Sequence, residues 1–215
     1  VTHPTLTNFR LGRVSGYRRV FRHTPASFVA KGISYPETME MASLSAEPVD
    51  SSLGTIGFVC AVYDVPSELG KDGMPSKDFV EREEAHDIQT KVPFQELGEG
   101  STSGGEPRMG EGVLCASSTD EKYISKWGQQ RFDSKYSSLK TIWGWQPDSG
   151  LLPSPIYLRH CVLAAKLLGP EAYESFLDET FLIDRQTTVR KYLEKRPDIL
   201  KMEPPPNVAV QYGGK

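Results

Sequence analysis

The sequence has 215 residues, of which 38% are hydrophobic, 10% aromatic and 25% charged; that balance belongs to a chain that folds around a core and excludes disordered, collagen-like and low-complexity classes. The 25 basic and 28 acidic residues leave a formal net charge of −3, so no global field draws the chain to nucleic acid or to an anionic membrane. No apolar run reaches the roughly 18 residues needed to cross a bilayer, and the length suits a single domain, expected over residues 1–202, with an extended Pro/Gly-containing tail over 203–215.

In chain order, FRLGRVSGYRRVF (9–21) alternates aromatic or aliphatic residues with Arg around Ser15-Gly16, which predicts a pair of half-buried strands or one kinked strand. Residues 39–46 alternate more weakly. The segment TIGFVCAVYDV (55–65) is the most apolar of this half and rich in β-branched and aromatic residues, so a central strand is expected there, ended by Pro66. Strands at 88–94 and 112–117 complete an expected sheet of five or six. Between Pro66 and Ile88, residues 68–87 carry seven acids against three bases, the pattern of a solvated face with one or two helical turns. Residues 98–112 hold six glycines and read as a surface loop.

The last third is helical in pattern. Ser154-Pro155 gives a cap followed by proline at the first helical position, with Leu158, Cys161, Val162 and Ala165 on one face. That helix is expected to end at Gly169, and Pro170 opens a second, with Tyr173, Phe176, Leu177, Thr180 and Phe181 as its apolar stripe. A third is expected over 186–196, capped by Asp184 and stopped by Pro197. Strands followed by helices predict an α+β fold, here a small curved or closed mixed β-barrel with C-terminal helices.

Few motifs carry chemistry. GGEPRMGEG (104–112) has Glu111 where a phosphate-binding loop needs Lys, and neither a dinucleotide fingerprint nor a nucleophile elbow occurs. Cys60, Cys115 and Cys161 are odd in number and far apart, which fits free thiols of a reducing compartment. His3, His23, His86 and His160 pair with nothing at metal-ligand spacing, and no metal or organic cofactor is expected. The basic pairs Arg18-Arg19 and Arg190-Lys191 read as solvent-facing; Trp143 and Trp145 read as a plug under a long loop, or else as a pocket wall. Among the acids, Glu83 follows Phe79 and Val80, which face inward, so its carboxylate is the one expected to be carried into a cleft as a base.

Four segments, in order, resemble the gamma-glutamylcyclotransferase family: GYRRVF (16–21), GTIGFVCAVYDV (54–65), FVEREEAHD (79–87) and SPIYLRHCVLAAKLLGPEAYESFL (154–177). The resemblance implies a barrel fold, Glu83 as catalytic carboxylate, and a substrate site formed by Tyr157 with Gly16, Tyr17 and Arg19. The implied reaction is intramolecular: the α-amine of a γ-glutamyl compound attacks its own γ-carbonyl, giving 5-oxoproline and releasing an amino acid, peptide or amine. The family's Tyr-Gly-Ser loop has no counterpart before Gly16, so activity is expected if that loop lies upstream of Val1. The alternative is a catalytically silent member of the fold, a subunit of a larger assembly that binds a protein partner through the 203–215 tail. A start at Val1 rather than Met fits presequence removal, which makes an organelle such as the plastid the alternative to a default cytoplasmic location.

Overall fold

The computed structural model describes residues 6–50, 56–65, 68–70, 74–98 and 108–213. Its architecture is mixed α+β, with eight strands and eight α-helices among these residues. Strand β1 (Thr7–Ser15) lies antiparallel between β4 (Gly57–Asp64) and β5 (Asp87–Leu97), and β5 pairs antiparallel with β6 (Met109–Ala116). Strand β6 meets β3 (Glu40–Pro48) in parallel at Ala116 and Ala46, and β3 pairs antiparallel with β2 (Tyr17–His23). Two short strands finish the sheet: β7 (Leu152–Pro153) beside β3, and β8 (Thr180–Phe181) beside β2. The hydrogen-bonded order is β4-β1-β5-β6-β3-β2-β8.

Gly16 explains the curvature of this sheet. It sits at φ +80 between β1 and β2, a backbone region that a side chain disfavours. Its N–H donates to the Ile56 carbonyl at 2.8 Å and its carbonyl accepts from Val49 N at 3.0 Å. The stretch is therefore one kinked strand whose two arms lie near opposite ends of the ladder, and the sheet must curl to let one chain serve both. The ladder nevertheless ends at β4 and β8, which do not pair among the described residues. The closed barrel of the sequence reading is thus corrected to an open, curled sheet. A second correction concerns 55–65: β4 is an edge strand rather than a central one, and its continuous apolarity has another origin. Helix α6 (Pro170–Asp178) meets the free edge of β4, where Ser175 Oγ accepts from Val59 N, while Cys60 and Val62 pack on one face against Val14, Val92 and Phe94.

The main core fills the space between the sheet and the C-terminal helices. Phe21, Ile142, Trp143, Leu158 and Val189 are solvent-free within it, and each such side chain contributes about 1.5–3 kcal/mol relative to exposure. Helix α5 (Pro155–Leu167) buries Ile156, Leu158, Val162 and Ala165. Ser154 does not cap it through its side chain; the hydroxyl instead donates to the Ile33 carbonyl at 2.6 Å. Helix α6 stops at Asp178, so Thr180 and Phe181 leave the expected helical stripe and join the sheet beside Arg19 and Val20. Helix α7 (Val189–Lys195) is capped by Thr188 rather than Asp184. Asp184 accepts from the N–H groups of Gln186 and Thr187 at 2.9 and 2.8 Å, and that local turn holds the chain out of the helix until Val189.

The remaining helices are α1 (Ala26–Ala30), α2 (Lys77–Arg82), α3 (Asp120–Trp127), α4 (Gln129–Tyr136) and α8 (Ala209–Tyr212). The sequence reading anticipated neither α3 nor α4. The C-terminal segment also departs from it. Instead of extending, residues 206–212 turn and pack, with Val208 and Tyr212 buried against Phe28, Ile33 and Ile156. Arg159 donates to the Tyr212 carbonyl at 3.2 Å. Two large apolar side chains supply the burial that proline and glycine had obscured. No helix among the described residues is long and apolar enough to cross a membrane. Of the 98–112 loop, residues 99–107 lie outside the described residues, as do Pro66 and the last two residues of the tail.

Candidate functional site

Glu83 is placed by the end of α2. Ser76 opens that helix, its hydroxyl accepting from Phe79 N at 3.2 Å, and Glu83 closes it with its own N–H on the Phe79 carbonyl at 2.9 Å. His86 N then donates to the Glu83 carbonyl at 2.9 Å, and this turn brings the two side chains to the same side. Glu83 Oε2 lies 3.5 Å from His86 Nδ1, and Oε1 lies 3.5 Å from Arg82 Nε. The Cys115 thiol on β6 also reaches Glu83. Burial, reinforced by that carboxylate, pushes the thiol up to about 12, so it stays protonated and is no nucleophile.

The other described acids of the charged run are engaged differently. Glu84 is tied into the body, paired with Arg131 and Lys135 and accepting from the Tyr123 hydroxyl at 3.2 Å. Glu68 pairs with Arg82 at 3.0 Å, Glu81 with Lys77 at 3.7 Å, and Asp87 with Lys122 at 2.8 Å. Glu83, its side chain 28% exposed, is the one of these that faces a histidine.

His86 in turn belongs to an aromatic cluster. Its ring meets the His23 ring at 4.8 Å and the Trp143 ring edge-on at 5.6 Å, while His23 stacks on Trp143 at 4.6 Å with 19° between planes. Trp143 is fixed by its indole N–H on the Ala85 carbonyl at 2.8 Å and by Asp120, which accepts from Trp143 N at 2.9 Å. His23 Nδ1 lies 2.9 Å from the Ser43 hydroxyl, and its Nε2 has no hydrogen-bond partner. Burial lowers both imidazoles: His23 falls well below 6.5, helped by His86, and His86 falls less because Glu83 opposes the shift. Both rings are neutral at pH 7.

A cavity of about 450 Å³ opens beside this cluster, lined among others by Val80, Glu84, His86, Ile88, Lys122 and Lys126. Glu83 is not one of its lining residues. A second hollow of about 280 Å³ lies over Arg13, Ser175 and Glu179. Among the described residues no three His, Cys, Asp or Glu side chains converge closely enough to hold a metal ion.

The other residues singled out from the sequence lie elsewhere. Among the described residues, no hydrogen bond, ion pair or ring contact joins Glu83 to Gly16, Tyr17, Arg19 or Tyr157. Gly16 spends its backbone groups on the kink, and Tyr17 packs beside Val14 and Phe94. Arg19 donates to the Val59 carbonyl at 2.9 Å and to Ser175 Oγ at 3.1 Å, with Phe58 and Phe176 on its faces. Desolvation lowers it to about 10, partly offset by Cys60, Glu179 and Cys161. Tyr157 is half-buried against Phe21 and Phe28, and burial pushes its phenol well above the usual value, Cys161 adding to the shift. Of the basic pairs, Arg190 is spent on Asp178 and Glu174. Trp145 donates to Thr24 Oγ1 at 3.1 Å inside the core.

His86, His23 and Cys115 are the site residues that the sequence reading passed over. His86 had a local signal, three positions after Glu83 at the end of a capped helix. His23 had none, being 63 positions away. Compared with family models, with curated proteins and with solved structures, the chain matches none.

Proposed function

We propose that this protein is a gamma-glutamylcyclotransferase-type enzyme, closing γ-glutamyl compounds to 5-oxoproline with release of an amino acid, peptide or amine. The observation that supports the reading is the setting of Glu83, a part-buried carboxylate at the end of a short capped helix, faced by a neutral imidazole and a protonated thiol. The reaction asks little of a protein beyond this. Its nucleophile and electrophile belong to one molecule, so folding the substrate supplies proximity. What remains is to take a proton from the α-ammonium, which cannot attack while protonated, and to deliver one to the departing nitrogen. A carboxylate that is not consumed by a tight ion pair, next to a cavity of about 450 Å³, large enough for a small polar molecule, is suited to govern that transfer. Gly16, Tyr17, Arg19 and Tyr157 frame the curled sheet in this reading, since the polar groups of Gly16 and Arg19 are largely engaged within the protein.

The silent-subunit alternative rests on the missing Tyr-Gly-Ser loop, on the start at Val1 and on an extended C-terminal tail, and the structure bears on the last of these. Residues 206–212 are packed on the chain's own α1 and α5 side chains, which removes that support. The test is release of 5-oxoproline by the full-length native protein from glutathione and a panel of γ-glutamyl dipeptides, with Glu83→Gln alongside. Release that falls at least about 100-fold in the variant supports the reading. A folded native protein that releases none, or a variant as fast as the native one, overturns it.

A further inference from the structure

Glu83 governs proton transfer in the proposed reaction, yet it does not line the cavity; His86 touches both. Within the proposed function, we infer that His86 is the residue that exchanges the proton with the substrate, and that Glu83 is its positioning partner, acting on the cavity through the imidazole.

Four observations carry this. His86 Nδ1 is turned to Glu83 Oε2 at 3.5 Å and has no hydrogen-bond partner of its own. A carboxylate only accepts, so the nitrogen facing it is the one that holds the ring proton, and the lone pair is left on Nε2. Nδ1 is sealed from solvent while His86 lines the cavity, which leaves Nε2 as the ring nitrogen to face it. The ring is also held in place. Trp143 meets it edge-on and His23 packs on it, and both are anchored, Trp143 through Ala85 and Asp120 and His23 through Ser43. Finally, His23 does not compete for the proton. It is only 6% exposed and stays neutral beside Trp143, so a positive charge that forms in the cluster forms on His86, where Glu83 stands opposite.

The proton balance closes. The Nε2 lone pair takes one proton from the substrate's α-ammonium while the Nδ1 proton stays on the ring. The resulting imidazolium is stabilised by the Glu83 carboxylate, and the 3.5 Å separation shortens toward about 2.8 Å as a charge-assisted bond forms. As the bond between the γ-carbon and its nitrogen breaks, Nε2 returns that proton to the departing nitrogen; the attacking nitrogen, which still carries one proton more than the lactam keeps, gives it up through Nε2 to the released amine, which leaves as an ammonium, and the ring ends as it began. The charged and titratable groups around His86 are Glu83 with Arg82 from the end of α2, Cys115 behind Glu83 from β6, His23 from β2, and Glu84, Asp87, Lys122, Tyr123 and Lys126 around the cavity. Of these, Glu84 is paired with Arg131 and Lys135, and Asp87 with Lys122. Glu83 meets Arg82 through Oε1 and turns Oε2 to the imidazole, and is therefore the carboxylate that acts on His86.

The experiment has two arms. In the first, the His86 imidazole is followed by NMR through a pH titration of the native protein and of Glu83→Gln. Loss of the carboxylate should lower the His86 midpoint by about one pH unit; an unchanged midpoint overturns the pairing. In the second, the kcat of His86→Gln for 5-oxoproline release is measured across pH. A loss of about 100-fold or more, with the acid limb of the profile gone and KM little changed, supports proton exchange by His86. A variant that keeps the native kcat and pH profile shows Glu83 acting without it and overturns the inference. Absence of 5-oxoproline release from the native protein would defeat the proposed function, and the NMR arm then decides the pairing by itself.

Discussion

Arg185 holds Glu47 through two parallel bonds, Nε to Oε1 at 2.7 Å and Nη2 to Oε2 at 3.0 Å. Glu47 ends β3, and Arg185 lies in the turn after β8 with φ +57, a conformation that costs a non-glycine residue energy. Arg22 and Arg18 approach the same carboxylate at 3.7 and 4.0 Å. One buried acid thus answers three guanidinium groups and fixes the turn that leads into α7.

Glu47→Gln should therefore destabilise the fold by about 3 kcal/mol, because it leaves three part-buried cations without their counter-charge. Urea denaturation at pH 7 measures this. A loss below about 1 kcal/mol would place the cluster with ordinary surface pairs.

The histidine cluster makes stability depend on pH with a definite sign. An unfolded histidine titrates near 6.5, whereas His23 and His86 titrate lower in the fold. Below about 6.5 the unfolded chain binds more protons, so stability is whole above that pH and drains as pH falls toward the folded values, by up to about 1.4 kcal/mol per pH unit for each ring. His23→Phe should remove one ring's share of this slope between pH 6.5 and 5. An unchanged slope would mean that His23 is already charged in the native state.

Gly57 opens β4 directly against β1. A methyl group there would land on the Val14 carbonyl oxygen, with Ser15 Cα and Val14 C both 3.2 Å away, and all three atoms are backbone. Gly57→Ala should cost about 2–3 kcal/mol through displacement of the edge strand. Amide hydrogen exchange should show the loss concentrated in the β1–β4 ladder; a uniform change would argue against a local clash.

The packed C-terminal segment predicts that Tyr212→Ala costs about 3 kcal/mol, from the lost ring and the cavity over Phe28, Ile33 and Ile156. The urea midpoint should fall with little change in slope. A variant as stable as the native protein would show that residues 206–212 rest on the surface without contributing to the core.

How much of this was legible depended on whether the signal was local. The kinked strand at Gly16, the strands expected over 39–46, 88–94 and 112–117, and the proline-led starts of α5 and α6 follow from alternation and capping, which neighbours a few positions apart encode, whereas the glycines of 109–112 read as loop although they begin β6. The place of β4 at an edge was not legible, because apolarity on both faces looks the same whether strands or a helix supply the cover. Helices α3 and α4 carry a Thr119 cap and the pairs Tyr123–Trp127 and Phe132–Tyr136 at helical spacing, a pattern diluted by the charged residues around it. At the site, Glu83 could be reached through the apolar residues before it. The meeting of His23 with His86 depends on Trp143 arriving from a third part of the chain to pack against both, and no local pattern reports that.

The bent strand at Gly16 also orders events in time. Its first arm pairs with residues near 60 and 95, and its second waits for β3 and then for Thr180 opposite Arg19. On a ribosome these strands emerge early, yet the last partner appears some 160 residues later, so loop closures of rising length separate the first contacts from the last. Until then the Arg-rich arm of β2 keeps an open edge, and its charges, later absorbed by Glu47 and by the Val59 carbonyl, hold off other chains. The arginines that fasten the finished sheet would thus be its protection against aggregation while it is still being made.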